Sequence, residues 1–267
     1  MYTASEAFDV SEMPFTEKFD FSNQVAVVTG GGNGIGQAVC ETFAALGANI
    51  TVADVDIDAA ADTASSIEDE YGTQAIAVKT DVSSYEDATE MIDATVDEFG
   101  TVDILVNNAG ISTRTSSFLE STPEDWDRSV GVTYFGTMNC THAALPHMIE
   151  QERGSIINYA SDSYKGNDPS LSVYGGAKAA NVAFTMTVAK EVGEHGIRMN
   201  VVSPGTTETS ATEEWIEKYR EKILESYALN RLGKPQDIAN TVAFLASDAA
   251  DWITAEVVSV NGGYIRG

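Results

Sequence analysis

The sequence predicts an α/β fold, a doubly wound parallel sheet with helices on both faces. Three observations lead there. The β-branched run Val25 to Thr29 ends in a glycine cluster and is followed by apolar residues at helical spacing (Ile35, Val39, Phe43, Leu46), which reads as strand, tight turn and helix. From Val25 onward, strand and helix patterns alternate without a break. Several predicted strands run into small or polar residues at their carboxyl ends, the edge where open α/β sheets bind ligands.

At 267 residues the chain has the size of one α/β domain, placed at residues 24–267 behind an acidic arm of residues 1–23. In that arm Phe8, Phe15, Phe19 and Phe21 are scattered around Pro14 without a period, as in a partly ordered segment docked by its phenylalanines. With 41 acidic against 15 basic residues the formal charge is −26, which argues against nucleic acid or anionic membranes as partners. A hydrophobic fraction of 43 % is too high for a disordered acidic chain. The acidity fits either adaptation to high salt, where screening relieves self-repulsion, or a generic acidic surface.

Cys40 and Cys140 fall in helical patterns and read as buried thiols of a reducing, cytoplasmic compartment. His142 and His147 are five residues apart, on different helix faces, and His195 sits in a helix-end turn, so the histidines offer no metal site. No apolar run approaches the roughly 18 residues of a membrane span, and the N-terminus lacks a basic region followed by an apolar one.

The glycine turn points free backbone N–H groups and a positive helix end at one spot, which suits a pyrophosphate. The second strand, Asn49 to Ala53, ends in Asp54, 18 residues beyond Gly36, close to the spacing at which an acid hydrogen-bonds adenosine ribose hydroxyls. Together these point to a dinucleotide. Ile57 to Tyr71 reads as a helix closed by Gly72, and Ala75 to Lys79 as the third strand, with Thr80, Asp81 and Val82 at its carboxyl end. Ser83 and Ser84, each followed three residues later by an acid, cap a helix that runs to Phe99 and stops at Gly100.

The fourth strand, Asp103 to Val106, leads into Asn107-Asn108-Ala109-Gly110, where small residues admit a ligand and asparagines can tie strand ends together. Thr122 and Pro123 open a long helix predicted to run to about Glu152. Ser155 to Ala160 is the fifth strand, with Ser161 at its end. A polar loop, Asp162 to Ser172, precedes a helix carrying Tyr174 and Lys178 four residues apart on one face. Tyr227 and Arg231 share that spacing but read as a surface pair.

A phenol titrates near 10, so Tyr174 needs its anion stabilised to act as a base near neutral pH. The Lys178 ammonium one turn away does this, helped by the positive ring of an oxidised nicotinamide. Ser161 would hold the substrate oxygen by a hydrogen bond.

These residues resemble those of the short-chain dehydrogenase/reductase family. The match spans about Val25 to Gly263: the glycine turn Thr29 to Gly36, Asp81-Val82, Asn107 to Gly110, Ser161, Tyr174 with Lys178, Asn200, Pro204-Gly205 with Thr209, and Val260 to Gly263. The resemblance implies a Rossmann-type seven-stranded parallel sheet, usually a homotetramer, and an oxidoreductase with Ser161, Tyr174 and Lys178 catalytic. It implies NAD rather than NADP, from Asp54. The cofactor would lie along Gly30, Asn33, Gly34, Ile35 and Gly36, with Asp81 and Val82 flanking the adenine and Asn108, Ala109 and Gly110 lining it. Pro204 and Gly205 would follow, with Thr207 and Thr209 meeting the carboxamide and Tyr174 and Lys178 the nicotinamide end.

The chain departs from the family pattern at Thr133, where an asparagine usually completes a tetrad by holding a water linked to the lysine. A smaller departure is Ala160, where many members have a second serine. The leading expectation is a dehydrogenase acting on a secondary alcohol or its ketone, a small molecule. The alternatives are a 3-oxoacyl-type reductase, an epimerase or dehydratase on the same fold, and a non-catalytic NAD-binding or scaffold protein. Substrate choice would lie in residues 206–230 and the loops near 112–118 and 162–172. Arg114, Asp162, Ser163, Lys165, Asn167 and Asp168 in those loops point to a polar substrate such as a sugar or hydroxy acid.

Overall fold

All five residues of the first strand, β1 (Val25–Thr29), are buried, as expected of a parallel strand covered on both faces. Their side chains alternate. Val27 joins Met91, Leu105, Ile156 and Met199 on one side of the sheet, and Val28 joins Phe43, Ile50, Ile157 and Val242 on the other. The computed structural model describes residues 15–111, 117–165 and 168–264.

After β1 come α1 (Gly34–Ala45), β2 (Asn49–Asp54), α2 (Ile57–Tyr71), β3 (Ala75–Lys79), α3 (Tyr85–Phe99) and β4 (Ile104–Asn107). Then follow α4 (Pro123–Val130), α5 (Gly136–Glu150), β5 (Gly154–Tyr159), α6 (Ser172–Val192), β6 (Ile197–Pro204), α7 (Glu213–Leu224), α8 (Pro235–Ala246) and β7 (Val257–Val260). The strands form one parallel sheet of seven, in the order β3-β2-β1-β4-β5-β6-β7. The chain builds outward from β1 to β3, then returns to lay β4 on the other side of β1. That reversal opens a crevice at the carboxyl ends of β1 and β4, the position at which such sheets take ligands.

The predicted helix caps form. Ser84 Oγ accepts from Asp87 N at 3.2 Å, and Thr122 and Asp125 make a reciprocal capping box. Gly72 and Gly100 close α2 and α3 with positive φ. The fourth strand sits one residue later than predicted and the fifth one residue earlier.

The long helix predicted from Pro123 to about Glu152 is not uniform. Between α4 and α5, Gly131–Phe135 forms a π turn in which Gly136 N reaches five residues back to Gly131 O. Gly136 allows Val82 to press in at this point, since a β-carbon there would lie 2.6 Å from Val82 Cγ2. Thr133 sits within this turn.

The arm expected at residues 1–23 is docked over its described part. A 3-10 turn, Phe15–Phe19, leads to Phe21, which is buried and meets Phe43 edge-on at 5.1 Å, while Phe19 faces Phe244 at 6.5 Å. Phe8 lies outside the described residues. Cys40 and Cys140 are buried and free. Among the described residues no helix is long and apolar enough to cross a membrane.

The reading of Tyr227 and Arg231 as a surface pair is wrong. Tyr227 is buried, stacks on Tyr264 at 5.0 Å and accepts from Thr206 N at 2.6 Å, while Arg231 pairs with Asp237. The two fall beyond the end of α7, so helical spacing has no meaning there.

Candidate active site

The glycine turn is held by contacts that leave no room for side chains. Gly30 has φ +64°, and a β-carbon on Gly36 would lie 2.0 Å from Gly30 O. Asn33 precedes α1 without capping it by its side chain, leaving the helix start open to an anion. At the tip of β2, Asp54 Oδ2 accepts from Gly32 N at 3.0 Å and its Oδ1 from Asp56 N at 3.1 Å. The acid therefore stands beside the turn, as expected. These features fit a dinucleotide: a helix start open to its phosphates and a carboxylate at the strand end beside the glycine turn.

The predicted tying of strand ends by asparagines is present. Asn108 Nδ2 donates to Thr29 O at 2.8 Å and Gly30 O at 3.1 Å, and Ala109 N donates to Thr29 Oγ1 at 3.1 Å. Asn107 Nδ2 donates to Asn158 Oδ1 at 2.8 Å, which joins β4 to β5. Gly110 faces Lys178, with a β-carbon position 3.4 Å from Nζ.

At the end of β3, Asp81 Oδ1 accepts from Ser83 Oγ at 2.6 Å and Ser83 N at 3.0 Å, while Val82 is buried. Ile35 packs partly against the core. Gly34 lies under Thr209, its β-carbon position 3.2 Å from Cγ2, so the segment after β6 folds back over the glycine turn. That segment starts at Pro204 and Gly205, where Gly205 N donates to Val260 O at 3.1 Å. It is knitted by Thr212, which sequence reasoning missed: Thr212 Oγ1 donates to Thr207 O at 2.8 Å and accepts from Thr209 N at 3.0 Å.

Ser161, Tyr174 and Lys178 converge. Gly175 brings the start of α6 against the turn after β5, where a β-carbon would lie 2.7 Å from Ser163 O. Tyr174 hydrogen-bonds Ser161, whose Oγ also accepts from Ser163 Oγ at 2.9 Å. Lys178 is 2 % exposed, donates to Tyr159 O at 2.9 Å and has its ammonium 5.7 Å from the centre of the Tyr174 ring.

Burial governs the proton affinity of both groups. Burial pushes the Tyr174 phenol up to about 12, the bond with Ser161 pulling the other way, and burial pushes Lys178 down to about 7. In this geometry the lysine alone does not bring the phenol below its ordinary value.

The polar loop after Ser161 is more structural than the sequence implied. Asp162 is buried and accepts from Ser203 Oγ at 3.1 Å and Asn261 Nδ2 at 2.7 Å, joining the ends of β5, β6 and β7. Burial raises its carboxyl against those bonds. Asp168 accepts from Tyr264 Oη at 3.2 Å. Among the described residues Lys165 Nζ is buried without a hydrogen-bond partner, and it lies 5.6 Å over the Tyr164 ring. Arg114 and Asn167 lie outside the described residues.

Thr133 Oγ1 donates to Ile111 O at 3.4 Å, not to the carbonyl one turn earlier as a helical threonine would. Its own carbonyl accepts from Thr137 Oγ1 at 3.1 Å and from Asn181 Nδ2 at 3.0 Å. Asn181 has no signal in the sequence beyond standing three residues after Lys178.

A family profile described as enoyl-(acyl carrier protein) reductase matches residues 30–265. The chain is 37 % identical over 243 residues to the meso-2,3-butanediol dehydrogenase of Serratia marcescens, covering 91 % of this chain and 95 % of that one. It is 34 % identical over 245 residues to the 3-oxoacyl-(acyl-carrier-protein) reductase of Thermotoga maritima, covering 91 % and 98 %. Its fold is similar to a crystal structure described as a short-chain alcohol dehydrogenase from Sinorhizobium meliloti 1021. The TM-score is 0.88 at 33 % identity, over 92 % of this chain and 98 % of that one.

Proposed function

Because the chain belongs to the short-chain dehydrogenase/reductase family, an oxidoreductase family that binds a nicotinamide cofactor, we propose that it transfers a hydride between NAD(H) and a small polar secondary alcohol or its ketone. The observation that carries this reading is the convergence of Ser161, Tyr174 and Lys178 at the end of β5, beside the crevice flanked by the glycine turn.

In this scheme the substrate oxygen accepts a hydrogen bond from Ser161, and Tyr174 Oη takes the hydroxyl proton. Bound NAD supplies the hydride acceptor and a positive ring charge that favours the phenolate. That charge matters, because a phenol near 12 has to be drawn down toward working pH at about 1.4 kcal/mol per unit. Lys178 adds to it in its protonated form and anchors the N-terminal half of α6 to β5 through Tyr159 O. In the reverse direction Tyr174 returns the proton to the ketone oxygen. Similarity to 3-oxoacyl reductases supports that direction as the second reading, with a 3-oxoacyl substrate.

NAD is favoured over NADP because a 2′-phosphate beside Asp54 would set like charges together, and Gly31 to Asn33 and Val55 offer no cation to receive it. A polar substrate is supported by Lys165, whose buried ammonium has no hydrogen-bond partner among the described residues and rests over the Tyr164 ring, while Asp162, Ser163 and Asp168 are engaged. Self-association, in the homotetramer that the resemblance implies, is supported by the exposed apolar side chains of Phe118, Trp126, Phe135 and Met186.

The test is the appearance of NADH absorbance when the protein meets NAD and a panel of sugars, hydroxy acids and matched apolar alcohols. Turnover that disappears in Tyr174→Phe supports the reading. NAD binding without turnover on any alcohol or ketone would leave a non-catalytic NAD-binding protein.

A further inference from the structure

Lys178 and Asn181 stand three residues apart on the buried face of α6 and donate to the same carbonyl. Lys178 Nζ reaches Tyr159 O at 2.9 Å, and Asn181 Nδ2 reaches it at 3.2 Å. The Asn181 amide also donates to Thr133 O at 3.0 Å, in the π turn between α4 and α5. One fully buried side chain thus joins the last residue of β5 to the π turn, beside the ammonium of Lys178.

Two features set this apart from ordinary core packing. Among the described residues Asn181 Oδ1 is buried with no partner in the protein. An apolar side chain of similar volume would fill the position without leaving a dry carboxamide oxygen, a costly group to bury. Nor does the amide only serve itself. With two donors on one oxygen, Asn181 shares the Tyr159 carbonyl on which the Lys178 ammonium rests.

We propose that Asn181 is a positioning residue for Lys178: it fixes the carbonyl on which the ammonium rests, and its Oδ1 accepts from a buried water that supports that ammonium. Such a water fits the chemistry of the site, because Oδ1 is an acceptor in need of a donor and buried waters take two to four polar partners. The inference rests on the reading of Lys178 and Tyr174 given above.

The experiment compares Asn181→Leu, Asn181→Ser and Lys178→Met with the parent in steady-state alcohol oxidation across pH, with NAD affinity and circular dichroism as controls. Asn181→Leu should keep its fold and NAD affinity, lose about tenfold in kcat with KM for the alcohol within about twofold, and turn on at higher pH than the parent. The sign follows from the chemistry: a less well supported ammonium is less often charged, so the phenol loses its proton later. Asn181→Ser keeps a donor and an acceptor in a smaller side chain, and should fall between parent and Asn181→Leu in both kcat and pH midpoint. If Asn181→Leu does not fold, Asn181→Ser decides alone. A parental kcat and pH profile in the folded variant, with Lys178→Met inactive, overturns the role of Asn181 only. Parental turnover in Lys178→Met overturns the reading on which it rests.

Discussion

Asp54 Oδ2 accepts a hydrogen bond from Gly32 N at 3.0 Å, so the acid that would meet the adenosine ribose also braces the glycine turn. Two substitutions separate these tasks. Asp54→Asn keeps an acceptor for Gly32 and removes the charge, so it should narrow the preference for NAD over NADP with little change in KM for NAD. Asp54→Ala loses the brace as well, so KM for NAD should rise several-fold while the preference narrows. Equal or better kcat/KM with NADP in the parent would sink the assignment of NAD.

Gly36 and the carbonyl of Gly30 are too close for any side chain, since a β-carbon would sit 2.0 Å from that oxygen. Gly36→Ala must therefore shift the turn. It should lower Tm by several degrees and abolish measurable NAD binding by calorimetry; a variant with parental affinity would show that the turn does not form the phosphate cradle.

Tyr174→Phe should lose more than about 99 % of turnover, in line with general-base contributions of roughly 10²- to 10⁴-fold, while keeping NAD affinity. In the parent, oxidation should rise with pH and ketone reduction should fall, because the first needs the phenolate and the second the phenol. Lys178 adds a stability signature. Its pKa is about 7 in the fold against an ordinary 10.5, so between those values the unfolded chain binds the extra proton and stability rises with pH. Lys178→Met should lack that rise. Tyr174, raised to about 12, works the other way above its ordinary 10, where the unfolded chain loses its proton first and stability falls. Burial raises the thiols of Cys40 and Cys140 as well, which lowers stability from about pH 9 in the same sense as Tyr174. Denaturant titrations of both proteins from pH 6 to about 8 stay below those windows, and the difference between the two proteins reads the first.

Most of this frame was legible because it is local. Residues that alternate, cap or turn carry their signal within a few positions, so α2 and β3 agree with the structure to the residue, and Ser161, Tyr174 and Lys178 declare themselves at a strand end and one helical turn. What stayed hidden is long-range or depends on the third dimension. Asp162 looks like a solvated loop acid until β6 and β7 deliver Ser203 and Asn261 to it. Asn181 looks like any helical asparagine until α6 packs against the π turn. The π turn itself has no period distinct from its neighbours, because one wide turn among twenty-eight helical residues barely moves the apolar pattern.

The formal charge of −26 is met by few internal pairs. Four ion pairs occur among the described residues, one of them between His195 and Glu194. Most carboxylates therefore face one another through solvent, and salt should relieve them. If the acidity is an adaptation to brine, Tm and activity should both rise as potassium chloride goes from low to molar concentration. A flat or falling Tm would favour a generic acidic surface.

Thr133 offers the last test, because the structure gives its two ends different work. Its carbonyl is held by Asn181 and Thr137, and its hydroxyl donates to Ile111 O, next to Gly110 and the Lys178 ammonium. Thr133→Val has nearly the same shape and leaves the carbonyl bonds in place, so it isolates the hydroxyl. At 3.4 Å that bond is weak, and its loss should lower stability by less than about 1 kcal/mol. If the hydroxyl steers Ile111 and with it the wall beside Lys178, kcat should fall severalfold while Tm barely moves. Thr133→Asn brings a longer polar group into a fully buried position; it should keep or raise turnover if a carboxamide can serve the lysine from this side. A Thr133→Val enzyme that matches the parent in kcat at every pH, while folded, would remove Thr133 from the proton route and leave the amide on α6 as the group to follow.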